Sequence, residues 1–321
     1  MPAKTNFELK PGLATREAFG KALAELGRVN PNVVVLDADL SKSTFTAEFG
    51  HEFPDRFFEC GIAEANMVAI GAGLAAAGKI PFASSFSVFL LNKGFEQLRV
   101  TAAYPNFNLK IVGTHSGISI GEDGPSQMSI EDLSLACSLP GFTVISPADE
   151  VSMMALVKLA AETYGPAFIR AGRLKVPVIY APDQEFAIGK SIQLIDGADV
   201  TLIATGLMVA ECIRAAETLE TEGLSARVVD MHTIKPLDRA AITRAAEQTG
   251  ALVVAEEHLL DSGLGVRVAQ VVSQTHPAVM EFVGINNTYA ESATPDQLLD
   301  KYGLRAVNVA AAARTAIARK R

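Results

Sequence analysis

The chain has little cysteine. Cys60, Cys137 and Cys212 are widely separated and form no CxxC pair. An odd, sparse set of this kind suits a reducing compartment, and with no base pattern near them the three read as core packing. No apolar run approaches the roughly 20 residues needed to span a bilayer. The longest, around Met67 to Ala77 and Phe86 to Leu91, fall well short. The opening segment MPAKTNFELKPG lacks the apolar centre of a signal peptide. A cytoplasmic protein with no membrane partner is therefore expected. Long Lys/Arg blocks are missing too, and the formal charge of -8 argues against a nucleic-acid partner. Nucleotide fingerprints are also lacking. There is no GxxxxGK[ST] loop, and Gly71-Ala72-Gly73 with Gly78 has the wrong spacing for GxGxxG. Those glycines fall inside a helical stretch, where close helix packing explains them better than a dinucleotide does.

Hydrophobic residues make up 49% of the 321 and charged residues 20%, enough to bury the cores of two ordinary domains. Short β-branched runs alternate with longer stretches of helical period, the pattern of mostly parallel α/β sheets flanked by helices. Thr15 is placed to cap a helix running to about Gly27, and Val33 to Leu36 predicts a buried strand ending at Asp37. Phe57 to Glu59, Leu109 to Thr114, Thr143 to Ile145 and Ala167 to Arg170 read as further strands. Ile62 to Ala77 and Phe86 to Ala102 read as helices. Pro177, Pro182 and Gly189 punctuate the chain before the rhythm restarts, with strands at Val200 to Thr205, Ala226 to Asp230, Ala251 to Ala255 and Glu281 to Val283. Two domains are expected, 1–182 and 190–321.

Three segments carry chemistry. In GIAEANM, Glu64 falls in the first turn of an otherwise apolar helix. A buried carboxylate there needs a partner, although the helix N-terminus offsets part of the cost. A helix-start cap and a functional acid remain equally open on spacing. Phe86 and Phe89 lie three apart, which core packing would also explain. The segment Gly113 to Gln127 follows a strand end, where open α/β sheets place ligands, and it offers His115, Asp123 and Gln127 in a glycine-rich loop. His232 and His258, at strand ends of the second half, read as structural or interface residues.

GIAEANM, SFSVF and THSGISIGEDGPSQ, in this order, resemble the pyrimidine-binding domain of transketolases. DMHTIKPLD (230–238) and AEEH (255–258) resemble the family's C-terminal domain, and the likeness covers nearly the whole chain. The resemblance implies a thiamine diphosphate enzyme that moves a two-carbon ketol unit from a ketose phosphate to an aldose. Glu64 matches the glutamate at N1′ of the aminopyrimidine. In a water-poor pocket its charged form would be disfavoured, letting it share the proton that activates the cofactor. Phe89 matches the ring stacked on the pyrimidine, Phe86 a neighbouring wall, and Asp39 an aspartate near the thiazolium. Asn92 stands where many relatives have an aromatic, which implies a wetter pocket. Arg16, Ser43, His115 and Arg173 match the ligands of the sugar phosphate: two guanidinium forks, a hydroxyl and an imidazole around a dianion. Asp123 matches an acid that binds a sugar hydroxyl. Gln127 stands where many relatives have histidine.

The same resemblance exposes a gap. The family holds the diphosphate through a divalent metal, Mg2+ or Ca2+, on a GDG motif with a downstream Asn, and this sequence has no GDG. A partner, the N-terminal transketolase subunit with GDG…N, is implied, together with an α2β2 heterotetramer. Two enzymatic alternatives share the superfamily, a 2-oxoacid dehydrogenase E1 β-like subunit and a deoxyxylulose-phosphate-synthase-like enzyme. A non-catalytic assembly subunit is an alternative of another class.

Overall fold

The computed structural model describes residues 7–320. Valine, isoleucine and phenylalanine runs form its strands because such side chains pack well on a sheet covered on both faces. Val33–Asp37, Lys110–Thr114 and Val200–Ala204 are buried along their whole lengths. The larger sheet has seven strands, in the order Thr233–Lys235, Thr143–Ile145, Ala167–Arg170, Lys110–Thr114, Ile80–Phe86, Val33–Asp37 and Phe57–Glu59. All its neighbours are parallel except the first pair. The second sheet has five strands, in the order Val279–Ile285, Ala251–Leu259, Val200–Ala204, Ala226–Asp230 and Ile192–Ile195, with only the last pair antiparallel. Helices flank both, so the alternating pattern yields the two mostly parallel α/β units it predicts.

The two sheets are not separate along the chain. Thr233–Lys235 lies among the strands of the second sheet in sequence, yet pairs with Thr143–Ile145 of the first. Apolar side chains also cross between them. One continuous cluster joins Ile118, Ile120 and Met128 to Leu202, Met208 and Leu298. The glycine-rich loop is therefore backed by the second unit. A two-stranded ribbon, Lys10–Ala14 against Lys175–Val178, brings the start of the first helix beside Gly172.

Local departures from the sequence reading have simple causes. Thr15 is the first residue of the Thr15–Val29 helix and Ala14 takes the cap position. The Thr15 hydroxyl instead accepts from the Gly172 amide at 2.8 Å. The acid-bearing helix spans Glu64–Ala76. Phe86 ends the Ile80–Phe86 strand in extended conformation, and the helix begins at Ser87, running to Gln97 before a π-helical turn, Leu98–Ala103. A Cβ on Gly71 would come within 2.9 Å of Leu109, so close packing does account for that glycine. At Gly73 nothing lies nearby. Cys137 and Cys212 are buried and Cys60 is half-buried. Among the described residues no helix is long and apolar enough to cross a membrane.

Candidate active site

The carboxyl ends of the first sheet converge on one region. Asp37 ends its strand fully buried and accepts hydrogen bonds from Leu40 N (2.7 Å), Thr44 Oγ1 (2.7 Å) and Thr46 Oγ1 (2.8 Å). Burial raises its pKa to about 6, against the lowering effect of those donors. The bonds hold 38–46 in a compact segment that carries Asp39 and, on the short helix Ser41–Thr44, Ser43. Asp39 adopts the left-handed region (φ 62°) with an exposed side chain, and its amide donates to Glu59 Oε1 at 2.6 Å.

Arg16 is the hub of the polar cluster. Its Nη1 donates to the Ser43 main-chain oxygen (2.6 Å) and to His115 Nε2 (3.1 Å), and its guanidinium lies 5.2 Å from the Phe45 ring centroid. Ser43 thus meets Arg16 through its carbonyl, not its hydroxyl. Because arginine can only donate, His115 must accept at Nε2 and carry its proton on Nδ1, directed at Thr114 Oγ1 (2.9 Å). Burial, then the charges of Arg16 and Arg173, drives the His115 pKa down to about 3. The imidazole is therefore neutral and is hydrogen-bonded to Arg16, another of the residues matched to the sugar phosphate. Arg173 donates to the Ile120 oxygen (2.6 Å) and lies 3.6 Å from Asp123 and 3.8 Å from Glu122. Burial and the nearby Arg173 both lower the Arg16 pKa. Arg16 Nε is buried without a hydrogen-bond partner. Two cations that disfavour each other, one with an orphaned donor, make a site that fits an anion.

Glu64 opens its helix with only 3% of its side chain exposed. The sequence suggested an acid on an apolar helix in need of a partner it did not name. Lys93 Nζ lies 3.2 Å from Oε2 and 3.4 Å from Oε1, and 4.5 Å from the Phe89 ring centroid. Phe86 stacks on Phe89 (5.7 Å, 10° between planes) and on His115 (3.7 Å, 27°), joining the aromatic wall to the polar cluster. A carboxyl and an aromatic face that together hold a cationic N–H donor fit a protonated aminopyrimidine. Lys93 escaped the sequence reading, although it lies four residues after Phe89 and so shares its helix face.

The remaining candidates sit at the margin. Asn92 is exposed and donates to Glu131 Oε1 at 3.0 Å. The Gln127 side chain donates to Ser126 Oγ (3.3 Å). His232 and His258 are fully buried. The His258 ring accepts from Ser134 N (3.4 Å) and donates to the Leu259 oxygen (2.9 Å), binding the two units together. Among the described residues no cluster of three or more His, Cys, Asp or Glu could hold a metal.

Paired α/β units with an anion-ready polar cluster at the strand ends of the first define a class of enzyme domains that take ligands there. Comparison with known proteins is specific. Residues 11–178 match the transketolase pyrimidine-binding domain, and residues 189–309 match the transketolase C-terminal domain. The chain belongs to the transketolase family. It is 43% identical to a protein of Methanocaldococcus jannaschii described as a transketolase C-terminal section, over 92% of this chain and 93% of that one. It is 37% identical to the 6-deoxy-6-sulfo-D-fructose transketolase subunit SqwH of a Clostridium species, over 95% of each. Against human transketolase the identity is 39% over 98% of this chain but only 51% of the human one, so the chain spans about half the length of such relatives. A solved split gene transketolase, an inactive β4 tetramer, superposes with a TM-score of 0.91 at 50% identity, covering 97% of this chain and 100% of that one.

Proposed function

We propose that this chain is the C-terminal subunit of a thiamine diphosphate-dependent transketolase. It provides the pyrimidine and sugar sides of a site whose diphosphate and Mg2+ (or Ca2+) are held by a separate N-terminal subunit carrying GDG…N. The observation that carries this reading is the junction of two half-sites through the stacked rings of Phe89, Phe86 and His115. Glu64 stands on one side, and Arg16 with its orphaned Nε on the other. Thiamine diphosphate, when bound, supplies the nucleophilic carbon and the electron sink for ketol transfer. Glu64 holds or gives up the proton at N1′, Phe89 and Phe86 bound the ring, and Asn92 and Asp39 edge the cofactor pocket. Arg16 and Arg173 grip the substrate anion, His115 aims Arg16, and Ser43, Asp123 and Gln127 complete the sugar side. The two subunit domains divide between residues 182 and 190, a reading supported by family matches that end at 178 and resume at 189.

Assembly has support on the Glu64–Ala76 helix. Apart from Glu64 and Asn66 it is apolar on all faces, yet Asn66, Ala69, Ile70, Gly73 and Ala76 are exposed on one side, with Ile62 77% exposed just before it. An unpartnered apolar face suits subunit contact, in an α2β2 heterotetramer in the cytoplasm. Relatedness to a sulfofructose transketolase subunit makes both phosphorylated and sulfonated ketoses donors to assay. The test is reconstitution with the GDG-bearing subunit. Ketol transfer from a ketose phosphate should need both chains, thiamine diphosphate and the metal. Tight cofactor capture and turnover by this chain without a companion would overturn the reading.

A further inference from the structure

The loop that carries His115, Asp123 and Gln127 is held from behind by the second domain. Glu257, on the Ala251–Leu259 strand of the second sheet, is 3% exposed and reaches across to accept a hydrogen bond from Ser119 N at 2.6 Å. Its carboxyl fills the space over Gly117, where an added Cβ would come within 2.1 Å of Glu257 Cδ. Gly117 has φ +78°, so the turn and the carboxylate are matched in shape as well as in hydrogen bonding. The main chain of the same strand end adds two more ties. Leu259 N donates to the Ile130 oxygen (2.9 Å), and the Glu257 oxygen accepts from Arg170 Nη2 (3.0 Å).

What this clamp holds is close to the anion cluster. Ser119 is followed by Ile120, whose oxygen receives Arg173 Nη1 at 2.6 Å. Arg170, three residues before Arg173, also donates through Nε to Asp132 Oδ2 (2.8 Å), and Asp132 Oδ2 accepts from Ser87 Oγ (2.9 Å). Ser87 begins the helix bearing Phe89 and Lys93. The Glu257 side-chain oxygen that receives the Ser119 main-chain N–H fixes that peptide in a space with no water to replace it. A small displacement of positioning groups can cost large factors in turnover or binding.

We propose that Glu257 is a positioning residue through which the C-terminal domain sets the turn Gly117–Ser119, and with it the Ile120 carbonyl that aims Arg173 at the anionic group of the substrate. This inference rests on the reading of Arg16 and Arg173 as the anion ligands. It assigns the second domain a part in substrate recognition beyond covering the sheet.

The test uses the reconstituted two-subunit enzyme with two donors, a ketose phosphate and a phosphate-free ketose, in four variants: Glu257→Ala, Glu257→Asp, Glu257→Gln and Arg173→Gln. Glu257→Asp retracts the carboxylate by one methylene and guards against loss of folding in the Ala variant. Glu257→Ala and Glu257→Asp should raise KM for the ketose phosphate about tenfold, the scale of one lost buried hydrogen bond, with kcat on the phosphate-free donor within about twofold of wild type. Glu257→Gln, which still accepts from Ser119, should restore most of the KM. Equal losses on both donors, or an unchanged KM in Glu257→Asp while Arg173→Gln discriminates between donors, would overturn the inference and leave the anion site standing. Failure of Arg173→Gln to discriminate would remove the anion reading, and this inference with it.

Discussion

Lys93 Nζ stands 3.2 Å from Glu64 Oε2 and 4.5 Å from the centroid of the Phe89 ring, so one ammonium bridges the acid and the aromatic face of the pyrimidine side. Glu64 is 3% exposed and Lys93 50%. The pair compensates the desolvation of a carboxylate that a run of small apolar residues would otherwise leave unmatched.

Replacing that lysine measures the compensation. Lys93→Met keeps the apolar stem and removes the charge. We expect a loss of about 1–2 kcal/mol, less than for a fully buried pair because half of Lys93 faces water. The urea midpoint of the purified chain reads it directly, and midpoints equal to wild type would show that the contact is idle.

Glu64→Gln tests the proton role separately from the fold. The amide keeps the shape but cannot take or release a proton. Ketol transfer by the reconstituted complex should fall at least about a hundredfold, the lower range for loss of general acid–base help. Unfolding midpoints should move little. Unimpaired transfer would favour a non-catalytic subunit.

The buried pair of Arg170 and Asp132, 2.8 Å apart with 7% and 0% exposure, should behave differently from a surface pair. Arg170→Met and Asp132→Asn each strand a buried partner and should cost about 3–5 kcal/mol. The double variant should cost clearly less than the two added together, as a denaturation cycle would show.

Asp230 gives a pH signature. Burial raises its pKa to about 8, while Tyr180 OH donates to its Oδ2 at 2.5 Å. The folded chain keeps a proton here that the unfolded chain releases above about 4, so this group's contribution declines as pH climbs from about 4 to about 8. Asp230→Asn accepts the same tyrosine bond without titrating. Its stability relative to wild type should therefore improve steadily from pH 5 to pH 8 in urea titrations, and a constant difference would contradict the assignment. His115, pushed down to about 3, acts in the opposite sense. Its contribution is present above about 6.5 and fades as pH drops below that value, so the comparison with the asparagine variant is needed to isolate Asp230.

The exposed apolar face can be probed with one charge. Ala69→Glu places a carboxylate on the outer side of the Glu64–Ala76 helix. Sedimentation should show a smaller assembly than wild type, with unchanged far-ultraviolet dichroism. Identical mass at equal concentration would move the subunit contact elsewhere.

Some of this was legible in the chain's local pattern. Strand runs such as Val33–Asp37 and the start of the Glu64 helix follow from side-chain branching and period, and the glycines of 113–124 mark a loop at a strand end. Arg16 and His115, far apart in sequence, do meet at 3.1 Å, and the charge of Arg173 reaches both. The pattern erred where one residue served two elements. Phe86 ends a strand and precedes a helix, and Thr15 spends its hydroxyl on Gly172 instead of its own helix start.

Packing decided what local pattern could not express. Lys93 finds Glu64 across 29 residues and Glu257 finds Ser119 across 138, contacts that no window of periodicity contains. Thr233–Lys235 joins a sheet other than that of its sequence neighbours. His115 is neutral because burial and two arginines converge on it, and neither is visible from the tripeptide in which it sits. Elements form from dihedral preference and nearest neighbours, whereas protonation and alignment depend on which distant groups share a dry space.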